Sequence, residues 1–174
     1  QNLISNGQFN EAASTLDRVV RQYPDDVDLQ KLYATALSSA DDRQEDAFVA
    51  WAAVWKLQGT DSVQLDAQRY KDLANGFDKH VFNLAKAASM LTSSVAAGTI
   101  SAATILPQVQ GYATQIKSAL AALQVMHPPA GRLSTDVQVT RLIAGDLFSQ
   151  AVESYVLYFQ NGDQTVLTHA GQLH

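Results

Sequence analysis

The chain has 174 residues, of which 47% are hydrophobic and 17% are charged, and it carries a net charge of −5. This length suffices to bury a core in one large or two small domains, and the composition is that of a globular protein. The acidic balance, without any cluster of Lys or Arg, argues against a general nucleic-acid binder. The absence of cysteine excludes disulfides, thiolate nucleophiles and Cys-ligated zinc.

Polar residues interrupt every apolar run well short of the roughly 20 residues that a transmembrane helix needs, so no integral membrane segment is predicted. The chain begins at Gln1 without Met, and we expect it to be a processed or trimmed piece of a longer protein. The low Lys and Glu content and the many Ser, Thr and Gln residues favour an exported protein, periplasmic or extracellular, over a cytoplasmic one.

Helical periodicity dominates residues 1–60. Leu3 and Ile4 are typical of a helix end, and three amphipathic helices are predicted to follow, over Phe9–Tyr23, Val27–Ser39 and Glu45–Leu57. Asp25 and Asp26 are candidate N-caps for the second of these helices.

Part of this region repeats after thirty-five residues. The segment Gln8–Ala13 returns in altered form as Arg43–Phe48, which predicts a helical repeat. Equivalent positions within and beyond this segment are small or apolar in both copies, and each copy ends at a helix breaker: Ala12 with Ala47, Leu16 with Trp51, Val19 with Val54, and Pro24 with Gly59.

These residues resemble the tetratricopeptide repeat (TPR) family over about a third of the chain. The first copy is similar to the second helix of one repeat, and Val27–Gly59 is similar to a nearly whole second repeat. The segment Val27–Gly59 departs from the family pattern in three ways. It has an extra residue in the turn over 38–43, no Trp early in its first helix, and Gly59 in place of the final Pro. The residues of the first copy that carry the resemblance are Gly7, Phe9, Glu11, Ala12, Leu16, Val19 and Pro24.

The resemblance implies a function as well as a fold. TPR-like hairpins stack so that their first helices line a groove, which binds a peptide or a partner helix. In the complete unit, the groove-facing positions implied by the family are Asp28, Lys31, Thr35 and Ser38. The leading hypothesis is therefore a non-enzymatic protein–protein interaction or scaffold module.

Residues 61–174 are predicted to form a second domain, an antiparallel bundle of long helices. From Ser62 an apolar stripe from Val63 to Val95 alternates gaps of four and three residues, with Gly76 in its middle. Gly76 could turn the chain between two helices, but a stripe that continues across a turn would be a coincidence. One long helix, straight or kinked at Gly76, is therefore favoured.

The remaining elements are also helical. Ser101 is predicted to cap a helix that becomes regular near Pro107, after a short turn at residues 105–106, and residues 127–131 form a loop. A last long helix is expected over 134–160, followed by a terminal helix to about Leu173. Its inward positions are expected to be Val137, Thr140, Ala144, Leu147, Phe148, Ala151, Val152, Tyr155 and Phe159. The expected fold class is all-α, with TPR-like hairpins in residues 1–60 and the bundle in 61–174.

No catalytic, cofactor or metal site is predicted. None of the four histidines, His80, His127, His169 and His174, has a second ligand at metal-binding spacing. The acidic group around the turn at 41–46 could bind calcium weakly or act as an acid pair, but helix capping and solvation explain it better. Aromatic side chains at helical spacing are expected in the core rather than in a ligand pocket: Trp51, Trp55, Tyr70, Tyr112, Phe148, Tyr155, Tyr158 and Phe159.

Charge is almost absent between Lys86 and Arg132, where Lys117 is the only charged residue. Such a neutral surface is consistent with an exported protein, or with a hairpin that is covered by a partner or by a second copy in a homo-oligomer. Two alternatives to the interaction module stay open: a bundle that binds a small apolar ligand, and a structural part of a larger exported protein.

Overall fold

The structure is a computed structural model that describes residues 2–162 and 165–168, without the side chains of 132–134. It is all-α, with 81% of residues in helices. By contact, the chain divides into two compact units. Unit 1 comprises Gln1–Phe77 and Ala122–Ser134, and unit 2 comprises Asp78–Ala121 and Thr135–His174. The domain boundary near residue 60 stays a prediction.

Unit 1 begins with four helices, α1 (Asn2–Ser5), α2 (Phe9–Gln22), α3 (Val27–Ser39) and α4 (Gln44–Gln58). The predicted cap at Asp26 is confirmed, because its Oδ1 accepts hydrogen bonds of 3.0 Å from the backbone N–H groups of Asp28 and Leu29. Gly59 ends α4 in a left-handed conformation with φ of 59°.

The first helices pack in sequence, α2 against α3 and α3 against α4. Small residues allow close packing here, since Ala12, Ala13 and Ala34 are fully or almost fully buried. A polar contact joins α2 to α3, in which the Tyr33 hydroxyl donates to Oδ1 of Asp17 at 3.3 Å. Leu57 is exposed at the end of α4.

Two short strands, β1 (Val63–Gln64) and β2 (Met126–His127), pair in parallel within unit 1. They correct the prediction of a helix from Ser62, because α5 begins only at Ala67 and Val63 belongs to a strand. They also show that His127 is not simply part of a loop. Pro128 explains part of this difference, since the residue before a proline favours extended backbone.

Helix α5 (Ala67–Ala96) runs without a break from unit 1 into unit 2, so the long-helix interpretation of the apolar stripe is confirmed. Gly76 is required because α4 passes close by. A Cβ atom at this position would lie 2.1 Å from the backbone oxygen of Gln44 and 2.9 Å from Cβ of Phe48. Phe48 also packs edge-to-face on Phe77, with ring centroids 5.6 Å apart.

Unit 2 contains the C-terminal part of α5 together with most of α6 (Ala102–Val125) and α7 (Arg132–Asn161). Ser101 accepts a hydrogen bond from Thr104 N and so caps α6 as predicted. The expected irregular turn at 105–106 is wrong, because the helix is continuous through Pro107. Pro107 removes one backbone N–H donor, but it lies near the start of α6. Burial of Ile105 and Val109 on one face stabilises the helix there.

Contacts between α5 and α7 set their direction. Arg141 Nε donates to Asp78 Oδ2 at 3.0 Å, and further along both helices Phe82 meets Phe148 edge-to-face at 6.5 Å. The two helices therefore run parallel. Lys117 of α6 forms an ion pair with Glu153 of α7.

Four expected inward positions on α7 are wrong. Val137, Thr140, Ala144 and Leu147 are all exposed, and the fractions for Val137 and Leu147 are 48% and 37%. Ala151, Val152 and Tyr155, near the Lys117–Glu153 ion pair, are buried as expected. Apolar spacing marks the inner face of a helix but does not show how far along that face a neighbouring helix packs.

The aromatic side chains divide into two groups. Trp55, Tyr70, Tyr155 and Phe159 are buried as expected, whereas Trp51, Tyr112, Phe148 and Tyr158 are only half-buried. Of the terminal helix, residues 165–168 are helical; the rest of the prediction to Leu173 lies outside the described residues.

The close approach at Gly76 predicts that Gly76→Ala lowers the free energy of unfolding by about 1–3 kcal/mol, because the added methyl overpacks the α4–α5 contact. Gly111→Ala in α6 is the matched control. Nothing lies within 4 Å of its added Cβ, so this substitution should stabilise the protein by up to about 1 kcal/mol. Urea unfolding followed by circular dichroism measures both, and equal stabilisation by the two variants would contradict the contact.

Burial raises the pKa of Tyr33 above its ordinary value of 10.0, and the nearby Asp17 carboxylate raises it further. The unfolded chain therefore loses this proton first, so the contribution of Tyr33 to stability is complete below about pH 10 and decreases above it. Tyr33→Phe should cost about 0.5–1.5 kcal/mol at neutral pH and make the loss of stability above about pH 10 shallower. Tyr23→Phe, at a 59% exposed position, is the control. Urea unfolding at neutral pH and above about pH 10 should show these changes for Tyr33→Phe and not for Tyr23→Phe.

Candidate functional site

The candidate site is a cleft of about 860 Å³ within unit 1. One wall is the C-terminal half of α3 and the turn to α4, and the other is the start of α5. The residues that line it are Thr35, Leu37, Ser38, Ser39, Ala40, Asp41, Asp42, Gln44, Ala47, Asp66, Gln68, Arg69, Asp72 and Leu73. A concave surface formed by two stretches that are distant in sequence, here residues 35–47 and 66–73, is the usual setting for a binding site.

Local backbone geometry presents the acidic residues of both walls. Asp42 adopts a left-handed conformation with φ of 57° in the α3–α4 turn, a conformation that aspartate tolerates better than most residues. On the opposite wall, Asp66 caps α5, since its Oδ1 accepts a hydrogen bond of 2.9 Å from Arg69 N. Capping thus explains the position of Asp66.

The charges of the cleft are unequal. Asp41, Asp42, Asp66 and Asp72 supply four carboxylates, and Arg69 supplies the single guanidinium. Gln68 Nε2 donates to both carboxylate oxygens of Asp72, at 3.0 and 2.9 Å. The cleft is therefore a region of negative potential in a chain that is already acidic.

Arg69 is held by an aromatic ring. Its Cζ atom lies 4.4 Å from the centroid of Trp51, a cation–π contact. The indole is itself fixed on two sides, because Trp51 Nε1 donates to Ser38 Oγ at 2.9 Å and the ring stacks on Trp55 with centroids 6.2 Å apart. Trp51 therefore contacts two residues that line the cleft, Arg69 and Ser38, as well as the buried Trp55.

The four sequence-predicted partner residues all lie on α3, but the cleft brings only two of them together. Thr35 and Ser38 line it, whereas Asp28 and Lys31 lie nearer the helix start and are not among its lining residues. The hydroxyl of Thr35 donates to Lys31 O at 2.7 Å, and that of Ser38 donates to Ala34 O at 2.8 Å. Both side chains therefore present a fixed orientation to the cleft.

The residues of the second cleft wall, at and just before the start of α5, were not predicted from the sequence. Asp66, Gln68, Arg69 and Asp72 lie more than twenty residues from the predicted groove positions in sequence. One signal could have located them. Gly76, in the middle of an otherwise regular helix, indicates close passage of another backbone, which places the first turns of α5 beside the α3–α4 hairpin.

The acidic group at the α3–α4 turn does not form a metal cluster. Across residues 2–162 and 165–168, no three potential ligands among His, Cys, Asp and Glu come together in a geometry that could hold an ion. Asp46 instead pairs with Arg43. His80 lies on α5 and His127 in β2; His169 and His174 lie outside the described residues.

The nearly uncharged region of the sequence has a polar outer surface on α6. The exposed side chains of that helix include Thr104, Gln108, Gln110, Thr114 and Gln115. Large exposed hydrophobic residues of the same region, Met90 and Ile100, lie outside α6. The covered face and the homo-oligomer both stay predictions.

Within the described part of the chain, no helix is both long enough and apolar enough to cross a membrane. Comparisons of the chain with protein-family models, with curated proteins and with solved structures give no match. What the protein does must therefore be inferred from its own residues and their geometry.

Proposed function

We propose that the protein is a non-enzymatic interaction or scaffold module that binds a peptide or a partner helix in the cleft along α3. The observation that carries this proposal is the position of Thr35 and Ser38. The family resemblance implies that both face a partner-binding groove, and both line a cleft of about 860 Å³. A concavity of this size accommodates several side chains of a bound segment.

A TPR-like arrangement of α2, α3 and α4 is part of the proposal. In it, α2 is the second helix of one unit, and α3 with α4 forms the next. The burial of equivalent residues supports it: Ala12 and Ala47 are 3% and 2% exposed, and Leu16 and Trp51 are both half-buried. The successive packing of α2 on α3 and of α3 on α4 also fits stacked hairpins.

The chemistry of the cleft favours binding over catalysis. Its lining combines carboxylates, the hydroxyls of Thr35, Ser38 and Ser39, and amides, without a His or Cys side chain. A hydroxyl nucleophile needs a base within hydrogen-bonding reach, and both the Thr35 and Ser38 hydroxyls donate to backbone oxygens of α3 instead. These groups are suited to hydrogen bonding and charge pairing with a polar segment.

Selection from a library of random linear peptides tests this function. We expect enriched peptides that lose binding when Thr35→Trp fills the cleft. Thr114→Trp is the matched control, because Thr114 is also an exposed helical threonine whose hydroxyl donates to the carbonyl four residues earlier, at 3.0 Å. Circular dichroism checks that both variants fold. Enrichment of no peptide, or equal loss in both variants, would overturn the proposal.

A further inference from the structure

The cleft along α3 has a charge arrangement that selects the chemistry of its occupant. Its four carboxylates come from three places: Asp41 and Asp42 from the turn, Asp66 from the cap of α5, and Asp72 from the second turn of that helix. Carboxylates that converge on one concavity add their potentials, and the low-dielectric walls focus the resulting field.

Among the described residues, no ion pair reaches Asp41, Asp42, Asp66 or Asp72, although ion pairs do form elsewhere, as between Arg21 and Asp17 and between Arg141 and Asp78. Asp66 and Asp72 accept hydrogen bonds, but from a neutral backbone amide and a neutral side-chain amide. Their negative charge is therefore not compensated within the cleft by an ion pair.

Arg69, the single cation among the lining residues, already makes a cation–π contact. The Arg69 guanidinium lies over the Trp51 ring, at 4.4 Å from its centroid. Trp51 is in turn fixed by its hydrogen bond to Ser38, which lines the cleft together with Arg69. The space between the two walls is left with carboxylates facing it from both sides.

We propose that the segment bound in this cleft is cationic and carries arginine side chains that pair with the carboxylates of Asp42 and Asp72. The inference rests on the proposed function and adds the chemistry of the partner. Arginine suits the site because its planar guanidinium binds a carboxylate through two parallel hydrogen bonds. Attraction between a positive segment and this acidic chain also accelerates their encounter.

Fluorescence polarisation with labelled hexa-arginine tests the proposal, with labelled hexa-glutamine as the neutral probe. The double variant Asp42→Asn/Asp72→Asn should weaken hexa-arginine binding about fivefold or more. Asparagine keeps the left-handed turn at residue 42 and can still bond to Gln68 at residue 72.

The matched control is Asp136→Asn/Asp146→Asn in α7, which changes the net charge equally. Asp146 accepts a hydrogen bond from Gln150, as Asp72 does from Gln68. We expect less than about a twofold effect from it. Equal weakening by both double variants would show unspecific attraction and overturn the proposal, as would hexa-glutamine binding as tightly as hexa-arginine.

A second measurement uses the unaltered chain and does not depend on the variants folding. In ¹H–¹⁵N spectra, hexa-arginine should shift amide signals within residues 35–47 and 66–73; shifts confined to other parts of the chain would contradict the proposal. The peptide selection separates the two claims. Thr35-dependent peptides that are neutral or acidic would overturn the cationic partner alone, whereas a selection without enriched peptides would overturn the proposed function.

Discussion

The candidate site depends on the close approach between α4 and α5 at Gly76. Because residue 76 has no Cβ, the backbone of Gln44 can lie against α5, and Phe48 and Phe77 pack edge-to-face beside it. This contact fixes the start of α5 next to the α3–α4 turn. This packed core contact thus fixes the separation of the two cleft walls and supports the acidic residues on them rigidly.

The helices could be predicted from sequence because their signals are local. Apolar spacing gives the faces of α2 and α3, and Asp26 and Gly59 mark helix ends. The two short strands could not, because Val63 pairs with Met126 far along the chain and a strand of two residues has no periodicity. The exposure of Val137 and Leu147 was also unpredictable, since it depends on how far neighbouring helices pack along α7 and not on the spacing of its own apolar residues.

One wall of the cleft could likewise be predicted from sequence and the other could not. The α3 wall could be located through the resemblance to a helical repeat, which gave Thr35 and Ser38. The α5 wall could not, because Asp66 and Asp72 have ordinary local explanations, a helix cap and a hydrogen bond to Gln68. Their convergence with Asp41 and Asp42 is a property of tertiary packing, and the resulting potential belongs to no single segment of sequence.

The parallel pair of β1 and β2 has a consequence for biosynthesis. Unit 1 needs residues 122–134 as well as 1–77, so it remains incomplete while α6 is being made. During translation, the first four helices emerge and can pack, but β1 must wait for Met126 and His127 to leave the ribosome. The last strand of unit 1 is therefore synthesised only after about half of unit 2. Completion of unit 1 thus depends on the order of synthesis as well as on the stability of its contacts.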